Sequence, residues 1–318
     1  MERLLIFTAG TSLLDNLKDS DKLNRGDLVD KFPYKGAGAW HTVLRRAGSI
    51  RDDLVAYASF FAPLNLADPG KRSWATAEMA GLYLLRRDQQ ASQDRLVLLC
   101  SDTGEGAFCA LTNGMLLGQE VCYYDSQGEA FSLAGLMSDE AEHGIHPSLA
   151  AIRLPRVEVV WVQDLDATRP EEFERQAISE LVKHIAELHY NRRPGEQTVL
   201  NYTGGFKAAI PTLAQAAAVA GNIELVCLYE EALDLVHQPL IQIKLRPGAE
   251  ERLIWAGERD QAHPDPLDPQ RYKTLDSLPR EEWPFYEELP GGGLQLSSLG
   301  RAMRELLRAR ERWSEIRR

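Results

Sequence analysis

Three short polar segments, each directly after an apolar run, carry the residue types that bind phosphate groups. They are Thr8-Ala9-Gly10-Thr11-Ser12, Ser101-Asp102-Thr103-Gly104-Glu105-Gly106 and Asn201-Tyr202-Thr203-Gly204-Gly205-Phe206-Lys207. Glycine lets backbone N–H groups approach a ligand closely, and the hydroxyls of Ser and Thr donate further hydrogen bonds. Lys207 adds a full positive charge. The composition of the three segments therefore favours an anionic ligand such as a nucleotide.

The apolar runs before these segments are typical of strands in one mostly parallel sheet. Such runs alternate with helical patterns up to about residue 245, which predicts an α/β, Rossmann-like fold with helices on both faces of the sheet. The expected strands are Leu4–Thr8, Leu96–Ser101, Glu120–Tyr124, Val157–Val162, Thr198–Asn201, Glu224–Tyr229 and an antiparallel Leu240–Leu245. Ligands of open parallel sheets bind at the carboxyl ends of the strands. The three segments are therefore expected to meet in one site.

Apolar residues at helical spacing predict the helices between the strands. They are Thr76–Arg87, Glu171–His189 and Thr212–Ala220. The proline-rich composition around residues 246–270 predicts a linker or irregular segment. Beyond it, two short strands around a glycine turn precede a Ser-capped helix from Leu299 to Ile316, which predicts a small winged-helix-like appendage. The expected domains are residues 1–245 and residues 246–318.

Bulk composition restricts the classes of function. A net charge of −11 argues against non-specific coating of duplex nucleic acid, which depends on phosphate neutralisation. No apolar run reaches the roughly 18 residues of a membrane span, and the apolar start is too short for a signal peptide, so we expect a cytoplasmic protein. The four cysteines lack C-x-x-C spacing and are expected to be buried free thiols. His143/His146 and His184/His189 are expected to be surface residues, so we expect no metal site.

The three segments together resemble the CRISPR-associated Rossmann fold (CARF) family. The resemblance covers residues 1–245 and rests on Gly10-Thr11-Ser12-Leu13-Leu14 and on the second and third segments, in that order and spacing. It implies a homodimer that binds a cyclic oligoadenylate messenger of type III CRISPR systems, with no cofactor. The ligand-binding residues that it implies are Gly10, Thr11, Ser101, Asp102, Thr103, Gly104, Glu105, Asn201, Thr203, Gly204 and Gly205.

Sequence motifs of the effector nucleases found in CARF proteins are missing from this chain. No histidine follows an arginine at the Arg-x4–6-His spacing of HEPN ribonucleases, and no lysine has an acidic residue two positions before it, as restriction-type nucleases require. The chain therefore resembles the stand-alone ring nucleases of the family, which cut cyclic tetra-adenylate in the binding pocket. In those enzymes the implicated positions correspond here to Ser12 and Lys207, with Thr11 as a substitute for Ser12.

Two other functions remain open from the sequence. The C-terminal appendage, with seven arginines among residues 301–318, could make the protein a messenger-controlled regulator that binds DNA. It could also be a small ribonuclease of the RelE type. The ring size, four or six adenylates, and the residues that read adenine are left open, with Thr103, Glu105 and the loop around Trp40 as candidates for the latter.

Overall fold

A computed structural model provides the structure of the chain. It describes residues 2–19, 21–36, 47–87, 93–124, 130–134, 144–229, 234–256, 274–289 and 293–316. Side chains are described throughout these ranges except at residues 47–49 and 130–134. In this part of the chain, every helix is too short or too polar to span a lipid bilayer.

The main element of the fold is an eight-stranded, mostly parallel sheet with the order β4-β3-β5-β2-β1-β6-β7-β8. Its strands are β1 (Arg3–Thr8), β2 (Arg95–Cys100), β3 (Gly118–Tyr124), β4 (Ala130–Ala134), β5 (Leu154–Trp161), β6 (Gln197–Asn201), β7 (Ile223–Tyr229) and β8 (Asp234–Gln238). β1 pairs in parallel with β2 and β6, and β5 pairs in parallel with β2 and β3. The β3–β4 and β7–β8 pairs are antiparallel. The predicted α/β fold class is confirmed.

The central strands are buried on both faces. All six residues of β1 are buried, including the neighbours Ile6 and Phe7, whose side chains point to opposite faces. Phe7 belongs to a large apolar core that also includes Leu98 of β2 and Val159 of β5. Burial on both faces explains why these strands read as unbroken apolar runs in the sequence.

The chain divides into two compact units. The first contains the sheet and consists of Met1–Asp166, Pro194–Lys207 and Glu224–Pro239. Its helices are α1 (Ser12–Lys18), α2 (Gly26–Asp30), α3 (Ala47–Phe61), α4 (Pro69–Arg72), α5 (Ala77–Arg86), α6 (Gly104–Leu117) and α7 (Pro147–Ala150). α5 confirms the predicted helix, and Thr76 caps it by accepting a hydrogen bond from Met79 N. α3 was not predicted.

The second unit is mostly helical and consists of Ala167–Arg193, Ala208–Ile223 and Leu240–Arg318. Its α-helices are α8 (Pro170–Glu172), α9 (Ile178–Tyr190), α10 (Ile210–Ala220), α11 (Pro247–Trp255) and α12 (Ser298–Ile316). A π-helical segment, Phe173–Ala177, joins α8 to α9. Two 3-10 segments, Leu275–Ser277 and Arg280–Phe285, precede the antiparallel strands β9 (Tyr286–Glu288) and β10 (Leu294–Leu296).

Two predictions about the second half of the chain are wrong. The antiparallel partner of β7 is Asp234–Gln238, whereas the predicted strand Leu240–Leu245 has no regular structure and exposes 87% of Ile241. A strand that follows a short connection can pair with its neighbour immediately, so the hairpin partner begins earlier than the apolar pattern suggested. The predicted linker begins with a helix, α11. Pro247 indicated irregular structure in the sequence, but it occupies the first turn of this helix, where proline is favourable. In the first half of the chain, the edge strand β4 was not predicted.

Candidate functional site

The three polar segments leave adjacent parallel strands, so the structure brings them to one edge of the sheet. β1 lies between β2 and β6. Thr8 pairs with Leu99 near the end of β2, and Phe7 pairs with Asn201 at the end of β6. The convergence predicted from the sequence is therefore confirmed for the backbone of all three segments.

The first and third segments touch through their glycines. A Cβ atom placed on Gly10 would lie 2.8 Å from Gly205 N, and one placed on Gly204 would lie 2.2 Å from Thr8 O. Real Cβ atoms essentially never approach other atoms so closely, so both positions require glycine. Gly10 N–H donates to the Glu78 carboxylate at 2.9 Å. The geometry therefore gives Gly10 a packing role, and its N–H is already engaged within the protein.

The first segment presents two hydroxyl side chains at the start of α1. Thr11 is exposed, and its side chain makes no capping hydrogen bond with the helix. Ser12 is half-buried, and its Oγ accepts a hydrogen bond from Ala77 N at 3.3 Å. Because this contact uses Oγ as an acceptor, the Ser12 hydroxyl proton can be donated to a ligand oxygen. Both residues can therefore contact a phosphate or ribose group at this edge.

The second segment is largely engaged in bonds within the protein. Thr103 Oγ1 caps α6 by accepting from Gly106 N, and it lies 2.8 Å from Ser101 Oγ. Asp102 accepts hydrogen bonds from Trp161 Nε1 at 3.2 Å and from Asp164 N at 3.1 Å. These contacts fix the loop after β2 to the loop after β5. They favour a scaffold role for Asp102, whose side chain is buried.

The N-terminus of α6 also holds a more distant stretch of chain. Glu105 accepts a hydrogen bond from Gly36 N at 2.9 Å, and Gly104 N donates to Gly36 O at 3.1 Å. Gly36 is the last described residue before residues 37–46. Trp40, a candidate for adenine recognition, lies outside the described residues. Glu105 therefore contacts the protein in this structure, and its predicted ligand role stays a prediction.

The third segment combines an anchored start with an unusual backbone before Lys207. Asn201 Oδ1 accepts from Thr203 N at 3.0 Å, and Thr203 Oγ1 accepts from Leu228 N at 2.6 Å. Gly205 and Phe206 have positive φ angles of 74° and 52°. Such a φ is strained for a bulky side chain, and strain of this kind concentrates at functional sites. The exposed side chain of Lys207 directly follows this turn.

Glu78 is a residue of this site that the sequence analysis missed. It lies on α5 with 1% of its surface exposed, next to both glycine segments. Burial raises the pKa of its carboxyl group, and the hydrogen bond from Gly10 N acts in the opposite direction. The available signal was an acidic residue in the first turn of an otherwise apolar helix, directly before Met79 and Ala80.

The histidines and cysteines are placed as follows. The prediction that His189 is a surface residue is wrong: 2% of it is exposed, and burial lowers its pKa to about 3. His189 lies on the buried face of α9. The sequence pattern had placed only apolar residues of this helix on that face. His146 caps α7 by accepting from Ser148 N, and His143 lies outside the described residues.

Three of the four cysteines are buried and Cys227 is half-buried, all with free thiols.

A comparison with protein families identifies the family of this chain. A family model described as "CRISPR-associated protein (Cas_APE2256)" matches residues 73–241, more than half of the 318 residues. The chain belongs to this family. In this Cas_APE2256 protein the matched region contains Glu78 and the second and third polar segments, whereas Gly10 and Ser12 precede it. No curated protein matches the chain.

Proposed function

We propose that this Cas_APE2256 protein is a ring nuclease. It binds cyclic tetra-adenylate at the shared edge of β2, β1 and β6 and cuts it to linear di-adenylate with a 2′,3′-cyclic phosphate end. The reaction ends the signal that the messenger carries in type III CRISPR defence. The protein acts as a homodimer, in which each subunit contributes one set of the three segments to a symmetric ring of phosphates.

The contact between Gly10 and Gly204-Gly205 is the observation that carries this proposal. It fixes the segment that bears Ser12 to the segment that bears Lys207, although the two are almost 200 residues apart in the sequence. A hydroxyl donor and a cation at the carboxyl edge of a parallel sheet suit a phosphodiester. The net charge of −11 makes such a local arrangement of donors necessary for an anionic ligand.

The chemistry uses a nucleophile that belongs to the substrate. The ribose 2′-oxygen attacks the adjacent phosphorus, its proton passes to water, and the bond from phosphorus to the 5′-oxygen breaks. Catalysis then depends on in-line geometry and on stabilising charge, so this reaction requires no metal. Lys207 neutralises the phosphorane oxygens and gives a proton to the leaving 5′-oxygen. Ser12 orients the phosphate or the 2′-hydroxyl, with Thr11 able to replace it.

The basic C-terminal helix gives little support to the alternative of a DNA-binding regulator. Within the described part of unit 2, Arg310 pairs with Glu250 at 2.7 Å and Arg312 pairs with Glu187 at 3.1 Å. Arg308 donates to Ile254 O at 3.1 Å. Arginines that are engaged with their own protein have less capacity to contact DNA phosphates.

Incubation of the purified protein with labelled cyclic tetra-adenylate in EDTA separates the candidate functions. Linear di-adenylate with a cyclic phosphate end supports the ring nuclease. An intact messenger that makes the protein retard a promoter fragment supports the regulator. Messenger-dependent cleavage of an unrelated RNA supports the RelE-like ribonuclease. Cyclic hexa-adenylate in a parallel reaction determines the ring size.

A further inference from the structure

A buried carboxylate, that of Glu78, lies against the two glycine segments. Glu78 is buried, and in the described part of the chain it forms no ion pair with Lys, Arg or His. Burying a charged carboxylate costs free energy unless hydrogen bonds compensate for the lost water. The hydrogen bonds of Glu78 must therefore compensate for this cost.

The hydrogen bonds of Glu78 connect it to the first polar segment and to α6. One carboxylate oxygen, Oε1, accepts from Gly10 N at 2.9 Å. The other, Oε2, accepts from Asn113 Nδ2 at 3.1 Å. Asn113 Oδ1 in turn accepts from the Thr76 hydroxyl at 2.7 Å. All three side chains are buried, so they form a polar network closed to solvent.

Glu78 also lies against the third segment. A Cβ atom on Gly204 would lie 2.5 Å from Glu78 Oε1 and 3.1 Å from Gly10 N. The carboxylate, Gly10 and Gly204 therefore occupy one closely packed junction. This junction contacts the backbone two residues before Ser12 and three residues before Lys207.

We propose that Glu78 is a positioning residue that holds the segments of Ser12 and Lys207 in register for ring cleavage. This role rests on the proposed function. Both of its carboxylate oxygens are engaged with protein donors, so Glu78 acts through Gly10 and does not touch the substrate. Because a misplacement of about 1 Å can reduce turnover roughly 100-fold, the junction matters for rate.

An exchange of the two partners tests this role. In Glu78→Gln the new amide nitrogen faces the amide nitrogen of Asn113. Turning the Asn113 amide by 180° would restore that bond, but it would remove the oxygen to which the Thr76 hydroxyl donates, so one hydrogen bond of the network is lost in either orientation. In the double variant Glu78→Gln with Asn113→Asp, every hydrogen bond has a donor and an acceptor again. The side-chain oxygen of the new glutamine accepts from Gly10 N, its amide donates to the new aspartate, and the Thr76 hydroxyl donates to that same aspartate. The negative charge moves to α6 while the geometry is kept.

We expect Glu78→Gln to lower kcat about 10- to 100-fold with little change in KM, and the double variant to recover most of that loss. Thermal melting of each variant gives the folded fraction, to which the rates are normalised. A purely structural role would alter melting but leave the normalised kcat unchanged. Asn113→Asp alone places two carboxylates in contact and is expected to be the least stable variant, so the other two carry the test.

Three results would overturn the role of Glu78. A normalised kcat of Glu78→Gln equal to that of the wild type would show that the junction does not control turnover. Failure of the folded double variant to regain turnover would show that the position of the charge matters and not the hydrogen-bond geometry. A wild-type protein that leaves the ring intact would overturn the proposed function and this role with it, which distinguishes that failure from the first two.

Discussion

Two hydroxyl residues at the start of α1 offer different chemistry to the phosphate of the proposed ligand. Ser12 is oriented, because its Oγ accepts from the first N–H of α5. Thr11 is exposed, and its side chain makes no capping bond. An oriented donor contributes more to a transition state than a freely rotating one, because its ordering entropy has already been lost. Ser12 is therefore the stronger candidate for a role in the chemical step.

Ser12→Ala should impair cutting more than binding. The variant loses one hydrogen bond to the reacting group, and we expect kcat to fall roughly 10²-fold while the messenger still binds. Single-turnover cleavage and equilibrium binding, measured on the same preparation, separate the two effects. Thr11→Ala is the matched control and should have a smaller effect on kcat. A loss confined to affinity in Ser12→Ala would make Ser12 a binding residue only.

His189 makes stability depend on pH. Its folded-state pKa of about 3 lies below the ordinary value of 6.5. Between these two values the His189 imidazole stays neutral in the folded protein but takes up a proton in the unfolded chain. His189 therefore leaves the free energy of unfolding unchanged well above pH 6.5 and lowers it as the pH drops from 6.5 towards 3, by at most about 1.4 kcal/mol per pH unit. Urea unfolding of the wild type and of His189→Gln should show a shallower pH dependence for the variant. Parallel curves would contradict this assignment.

At the residue scale the sequence indicated candidate groups for binding and chemistry but not which side chains are buried. The hydroxyls, glycines and lysine of the three segments were recognisable by type and order. The burial of Glu78 and His189 depends on which helix face meets the core, and neighbouring apolar residues allowed either face. The internal bonds of Asp102 and Glu105 depend on Asp164 and Gly36, which come from distant parts of the chain.

At the scale of elements, the junction between the segments after β1 and β6 depends on backbone packing. Gly204→Ala would place a methyl group 2.2 Å from Thr8 O and 2.5 Å from Glu78 Oε1. We expect a loss of about 1–3 kcal/mol in the free energy of unfolding and a marked loss of cleavage, because the loops must separate. Chemical denaturation and the cleavage assay measure the two effects.

Gly26→Ala is the control for this prediction. A methyl group at residue 26 would have Lys18 Cγ, 4.0 Å away, as its nearest neighbour. Its stability and cleavage rate should both remain close to those of the wild type. Equal behaviour of the Gly204 and Gly26 variants would show that the glycine junction is not closely packed in solution.

The parallel strands were predictable because burial on both faces leaves unbroken apolar runs. The edge strand β8 was harder to predict. β8 exposes nearly half of Val236, so it lacks the apolar signal of a central strand. The apolar alternation of the following residues 240–245 resembled a strand more closely than β8 itself did. Edge strands of this kind are determined by the neighbour with which they pair.

At the scale of the whole molecule, the family membership and the position of the polar segments at the edge of the sheet direct attention to Lys207. The Cas_APE2256 protein places three polar segments at adjacent strand ends, with Lys207 exposed after a strained turn at Phe206. Strained backbone of this kind clusters at functional sites, which favours a functional role for Lys207. We therefore expect Lys207 to provide the charge stabilisation that the proposed ring cleavage requires.

The rate of cyclic tetra-adenylate cleavage by Lys207→Ala tests this account most directly. Single-turnover reactions in EDTA compare it with the wild type and with Lys18→Ala, which removes a lysine of equal charge from the far end of α1. The account predicts that Lys207→Ala cuts slower by a factor of about 10² to 10³, while Lys18→Ala matches the wild type. Equal rates for all three proteins would contradict it.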